Sequence, residues 1–317
     1  MKGFEERFAD LPDYILKITE EIWEKRGVAS LRRYYGEGIP MRLPGGLGLG
    51  NEATIDGTLA TLAEFPDRVL LGEDVIWSGD EDAGFLSSHR IVTSGMHTGH
   101  GAFGPPTGRS LTIRAIADCF CAENRITDEW LVRDSGGIAV QLGLDPSEVA
   151  RAAVARGSRP FTPAQDVPGP YAGRGNDNEW GARLEGILRA MMDKDFAIIG
   201  REYDRAVRTE HPGARGSWGR AFAETEWMRL RAAFPRAEFR VQHVIGREDP
   251  RQPPRAAVRW SLTGAHDGFG RFGPPTGAPV HVMGITHAEW GPWGLRREFT
   301  LWDEVAIWAQ VHMGAVA

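Results

Sequence analysis

Asp118 is the acid whose surroundings most suggest chemistry. It lies in the run Leu111–Cys121, LTIRAIADCFC, with Ile116 and Phe120 two residues away on either side. In an extended chain these three residues share one face with Thr112 and Arg114. A carboxylate between apolar neighbours loses hydration, so its pKa rises and it becomes a base suited to neutral pH. Arg114, on the same face, would favour the charged form or hold an anionic oxygen. The opposite face, from Ile113 through Ala115 and Ala117 to Cys119 and Cys121, is small and apolar, which predicts close packing against another layer. The next run, Ile126–Val132, puts Asp128 and Trp130 on one face and Glu129 on the other, with one of the two acids expected at a solvated edge.

His97 stands at the end of a strand pattern beside a glycine-rich turn, where it could relay a proton or brace the turn. The same arrangement returns at His266. Residues 95–108 read GMHTGHGAFGPPTG and residues 264–277 read GAHDGFGRFGPPTG, with ten of fourteen positions identical. The offset, 266 − 97 = 169, also aligns Phe65 with Phe234, Arg90 with Arg259, Asp134 with Asp303 and Gln141 with Gln310. The chain therefore holds two copies of one unit, each long enough for its own core. At the position of Asp118 the second copy has His287, on a mixed face with His281 and Glu289. Arg297 stands where the first copy has Asp128.

Other chemistries fit less well. Gly99-x-Gly101-x-x-Gly104 and its repeat match a dinucleotide fingerprint, but Pro105-Pro106 follows where a helix would have to begin, so the reading is a glycine turn. His281 lies six residues from His287, about 20 Å along a strand and too far to share an ion. No metal and no cofactor is expected. No nucleophile elbow or phosphate-binding loop is present. Cys119 and Cys121 point the same way from one strand, which is poor geometry for a bridge. They are expected as buried thiols in a reducing, cytoplasmic setting.

The elements that must position these residues follow from periodicity. Tyr14–Arg26, Leu31–Tyr35 and Asn51–Glu64 read as helices, and Val69–Ile76, His89–His97, Leu111–Cys121 and Ile126–Val132 as strands. Helices followed by a run of strands predict α+β units with antiparallel sheets. Residues 1–150 form the first unit and 179–317 the second, joined by a Pro- and Gly-rich linker over 151–178. With 42% hydrophobic and 25% charged residues and a net charge of −6, the chain is expected to be globular, without nucleic-acid or membrane partners. No run approaches the roughly 18 apolar residues of a span, and the N-terminal stretch has no secretory core.

The order of helices, GxHxGxGxFGPPTG, a strand with a lone Asp, then Arg125-Ile126-Thr127-Asp128-Glu129-Trp130 resembles SnoaL-like polyketide cyclases of the nuclear transport factor two-like superfamily. The resemblance implies tandem cone-shaped α+β barrels, each a curved sheet wrapped on about three helices around a pocket. It implies an Asp acting as acid and base on a carbonyl compound. Asp118 takes that position, one residue later after Ile116 than the family's usual Ile-Asp-x-Phe.

The expected catalytic set is Asp118, Arg114 and His97. Trp130, Asp128, Phe120, His266, His287, Glu289 and Arg297 are expected to contact a small, largely apolar substrate. The superfamily also contains non-catalytic binding proteins and enzymes that activate water through an Asp–Arg–Asp relay. For the relay, Asp118, Arg114 and Asp128 would have to converge. The small-residue faces of the two copies are expected to pack into an intramolecular pseudo-dimer, with further self-association left open.

Overall fold

The computed structural model describes residues 1–314, so the last three residues of the expected second unit lie outside the described residues. In the first copy the chain runs α1 (Leu11–Thr19), α2 (Leu31–Tyr34), β1 (Pro40–Leu43), β2 (Gly46–Leu49), α3 (Asn51–Glu64), β3 (Val69–Asp80), β4 (Gly84–Met96), β5 (Ser110–Ala122) and β6 (Arg125–Arg133). The helices α4 (Ser135–Gln141) and α5 (Pro146–Ala155) follow. The second copy runs α6 (Glu179–Met192), α7 (Ala197–Glu202), β7 (Tyr203–His211), β8 (Arg215–Trp218), α8 (Arg220–Ala233), β9 (Glu238–Arg247), β10 (Arg255–Ala265), β11 (Pro279–Gly291), β12 (Gly294–Trp302) and α9 (Glu304–Gly314).

The sheet orders are β2-β1-β6-β5-β4-β3 and β8-β7-β12-β11-β10-β9, the same topology twice. The chain is thus two tandem α+β units. Each sheet departs from the antiparallel expectation at one junction, where a hairpin missed by periodicity joins in parallel, β1 to β6 and β7 to β12. The regular first helix is shorter than predicted. It starts on an Asp10 cap that accepts from the Asp13 N–H at 2.8 Å and ends at Thr19, where a wider turn takes over.

The glycine turn has a steric cause. Gly99 lies so close to α3 that a Cβ there would sit 1.8 Å from the Ala63 carbonyl oxygen, and at Gly268 the Ala232 carbonyl oxygen would be 2.0 Å away. Only glycine permits that approach. His97 ties off the turn: its N–H donates to the Arg109 carbonyl and its own carbonyl accepts from Gly108 N–H, both at 2.9 Å.

The Pro- and Gly-rich stretch after α5 is pinned to both copies. Phe161 N–H donates to the Pro44 carbonyl at 3.0 Å, and Val244 N–H donates to the Arg174 carbonyl at 2.9 Å. No helix among the described residues is long and apolar enough to cross a membrane.

Candidate active site

Strand register decides which side chains share a face. Across β4, β5 and β6, His89 pairs with Ala117 and Leu131, and Ile91 with Ala115 and Arg133, with Cys119 opposite Glu129. These face the helices of the first copy. The alternate set, Ser88–Asp118–Trp130 and Arg90–Ile116–Val132, faces the second copy. There Ile116 and Val132 pack with Met283, Ile285 and Leu301. Phe120 and Leu86 pack with Ile245 and Ala257.

This reverses the expectation for the two faces of β5. The mixed face, not the small one, meets the other sheet. The small face is small because it borders a cavity. The expectation that Asp128 or Glu129 sits at a solvated edge also fails. Both are buried: Glu129 faces the helices of its own copy, and Asp128 is covered by Arg42 and by the linker at Gly169 and Tyr171.

The predicted catalytic acid is accordingly part of a buried polar chain between the copies. Asp118 accepts from Ser88 Oγ at 2.5 Å and from the Arg259 guanidinium at 2.8 Å. Ser88 Oγ lies 2.8 Å from Nε2 of His287, whose Nδ1 lies 3.3 Å from the Arg90 guanidinium. Arginine can only donate, so Nδ1 accepts, Nε2 carries the proton, and Ser88 passes its own hydrogen to Asp118. Burial holds His287 neutral by pushing its pKa well below the usual range. Burial also raises Asp118, with Arg259 opposing.

The arrangement has approximate twofold symmetry. Arg259 lies 3.7 Å above the Trp130 ring, and Arg90 lies 3.8 Å above the Phe299 ring. All four residues obey the offset of 169.

The other predicted residues are placed as follows. Arg114 bonds Glu73 at 2.6 and 2.7 Å and pairs with Glu210 of the second copy. Asp128 pairs with Arg42 and accepts from Tyr171 N–H. Phe120 packs on the Tyr171 ring. Glu289 accepts from Arg90 at 3.2 Å and lies 3.7 Å from the half-exposed Arg297, at the rim of a charged cleft. His97 and His266 brace their turns through Thr107 and Thr276 at 3.2 and 3.1 Å. Asp118, Arg114 and Asp128 therefore pair with three different partners and do not form a relay. None of the ten predicted residues lines the cavity inside the first copy.

That cavity has a volume of about 350 Å³. Its walls are Ile15, Ile18, Trp23, Met41, Ala115, Ala117 and other apolar or small side chains, with Thr19, Thr54 and Thr58 from the helices. Glu129, His89, Arg68 and Arg133 also line it, with Tyr35 beside Glu129. Glu129 is 3% exposed, and its Oε2 has no hydrogen-bond partner among the described residues. Burial raises its pKa from 4.5 to about 7, with the Tyr35 hydroxyl pulling slightly the other way. Burial pushes the His89 imidazole down to about 3, so it is neutral. The Cys119 thiol, also in the wall, is pushed well up.

A carboxyl group that titrates near neutrality inside an apolar chamber can both take and return a proton. Sequence reasoning missed it because strand alternation gives a face but not what covers that face.

In the second copy three aligned positions fill the space that the chamber takes up in the first. Thr58, Ile91 and Arg133 line the cavity; their counterparts are Trp227, Trp260 and Trp302, all fully buried. Their ring centroids lie 5.9 to 6.3 Å apart. A Cβ at Gly284 would lie 2.2 Å from the Trp260 ring, so Gly284, where the first copy has Ala115, makes room for the plug.

Glu298, the counterpart of Glu129, is bonded by Tyr203 at 2.5 Å, Thr300 at 2.7 Å and Trp227 at 2.9 Å. Comparing the copies at these positions is the signal that could have located the chamber from sequence.

The chain is similar to solved SnoaL-like polyketide cyclases. IdmH from Streptomyces antibioticus, provisionally named a polyketide cyclase, is 25% identical; the match covers 42% of this chain and 98% of that one, with a TM-score of 0.37. A SnoaL-like polyketide cyclase from Agrobacterium tumefaciens is 21% identical, over 40% of this chain and 94% of that one, at a TM-score of 0.32. TsrD from Streptomyces laurentii is 17% identical, over 44% and 98%, at 0.37. Each of these proteins, nearly whole, matches less than half of this chain. No family model and no curated protein matches the chain.

Proposed function

We propose that the first copy is a cofactor-independent acid/base enzyme acting on a small, largely apolar carbonyl compound, with Glu129 as the base. The observation that carries this reading is a buried carboxyl with a free oxygen and a pKa of about 7 in an apolar cavity. The Glu129 carboxylate takes the acidic proton from a carbon next to a carbonyl, leaving an enolate. The enolate carbon attacks a second carbonyl of the same molecule, and the protonated Glu129 returns its proton to the new alkoxide, closing a ring. Tyr35 beside Glu129 can donate to developing negative charge on oxygen. Asp118 has no contact with the substrate in this reading; it stabilises the contact between copies.

The test is carbon-acid exchange in D₂O, followed by NMR over a panel of 1,3-dicarbonyl and β-keto ester compounds. Wild type should accelerate exchange, and Glu129→Gln should lose about 10²- to 10⁴-fold. Folded Asp118→Asn should keep the activity. Exchange that survives in Glu129→Gln refutes the assignment, and no acceleration anywhere in the panel leaves the cavity as a site for binding alone.

A further inference from the structure

Arg68 and Arg133 stand out among the arginines of this chain. Most pair with a carboxylate, as Arg42, Arg90, Arg114, Arg255 and Arg259 do. Arg68 is only 8% exposed, yet among the described residues its Nε has no partner and no carboxylate pairs with it. Burial, with the repulsive charges of Arg133 and Arg26, brings its pKa down to about 9.

Arg133 feels Glu64 and Asp303 only at a distance. Both acids are engaged elsewhere: Glu64 accepts from Phe103 N–H at 2.8 Å and lies 3.3 Å from His97 Nε2, and Asp303 accepts from Ser135 Oγ at 2.5 Å. Both arginines line the 350 Å³ cavity and also a second cavity of about 230 Å³ beneath the glycine turn, so they mark where the two meet. In the second copy their counterparts are Ala237 and Trp302. The pair belongs to the chamber and not to the shared fold.

A buried guanidinium without a partner is costly and persists where something else supplies the anion. We infer that Arg68 and Arg133 bind the anionic end, a carboxylate or a phosphate monoester, of an otherwise apolar ligand whose other end reaches Glu129. This rests on the cavity being the active site. Glu129 and Arg133 are four residues apart on one strand, about 13 Å at about 3.3 Å per residue, which sets the separation between the ligand's anionic group and its reacting carbon.

Titration calorimetry on the full chain at pH 7.5, with decanoate, decyl phosphate and methyl decanoate as probes, tests the inference. One or both anions should bind about tenfold tighter than the ester or better; the tighter of the two identifies carboxylate or phosphate. Arg68→Met and Arg133→Met should each erase most of that preference while leaving ester affinity unchanged. Equal binding of acid and ester, or a preference untouched by both substitutions, overturns the inference.

Urea midpoints keep the result interpretable. Removing an uncompensated buried cation should leave Arg68→Met at least as stable as wild type, and a clear fall would make Arg68 structural and overturn its role as well. Glu129→Gln separates this inference from the catalytic one. It should abolish exchange yet keep the anion preference; exchange lost together with the preference would refute the anion site alone, and exchange that survives would refute the base.

Discussion

Glu129→Gln should make the protein more stable as it removes the activity, and the gain should depend on pH. In the folded chain the carboxyl titrates at about 7 and in the unfolded chain at about 4.5. Between those values the native state holds a proton that the unfolded state has released, so stability falls as pH rises from about 4.5 to about 7. The difference of 2.5 units corresponds to about 3 kcal/mol above pH 7.5, at about 1.4 kcal/mol per unit, and to about 1 kcal/mol or less at pH 5. Glutamine has nearly the same shape and cannot ionise, so the variant escapes that cost. Urea unfolding of both proteins at pH 5 and pH 8 reads the effect as a difference in midpoint at unchanged slope. The variant should gain about 2 to 3 kcal/mol more at pH 8 than at pH 5. Other titrating groups, including Asp134 near 6, cancel in the comparison. A stability difference that is the same at both pH values would show that Glu129 does not titrate near neutrality, and the proposed base would lose its physical support.

Three more outcomes follow from the geometry. Arg259→Met should cost about 3 to 5 kcal/mol in urea unfolding, because it leaves Asp118 buried without its cation; a loss below about 1 kcal/mol would mean that the pair is not holding the copies together. Trp260→Ala should cost about 3 to 5 kcal/mol and open space in the second copy, which xenon or a small hydrocarbon would fill in a crystal; an unchanged midpoint would argue against a packed plug. Gly99→Ala and Gly268→Ala should each cost about 1 to 3 kcal/mol, since the added methyl strikes a helix carbonyl; neutral substitutions would show that the turns can move away.

The two copies, the first copy's helices α1, α2 and α3 and its four long strands were legible in the sequence because they depend on local period and on a constant offset. The hairpins β1–β2 and β7–β8 were not: β1, β2 and β8 are four residues long, which is too little alternation to separate them from turns, and the nine residues of β7 are mostly polar or charged. The cavity lies one residue's worth of direction away from the residues singled out in the sequence. Alternation grouped Asp118 with Arg114 and Phe120 correctly, but it cannot say which side of a sheet faces the helices. An ionisable face was taken for a pocket and a small face for a packing surface. In a duplicated chain the outer face of each sheet is buried as well, so polar residues there can be interface pairs. Small residues on the inner face are what leave a cavity unfilled.

The duplication also explains how one glutamate comes to have two roles. Glu129 and Glu298 occupy the same place on equivalent strands, both buried. In the second copy three donors, Tyr203, Thr300 and Trp227, surround the carboxyl within 2.9 Å, and three tryptophans close the space before it. A fully bonded carboxyl in a packed core has no oxygen left to meet a substrate. In the first copy Thr58, Ile91 and Arg133 replace the tryptophans, one carboxyl oxygen is left without a partner, and Arg68 is left without an anion. Unmet hydrogen-bonding capacity in a buried site costs stability. At this carboxyl position it falls on the copy that has a chamber, while the second copy bonds its glutamate fully and fills the same space with tryptophan. That division predicts that substitutions plugging the first chamber, such as Ile91→Trp, will trade activity for stability, whereas opening the second copy will lose stability and gain no activity.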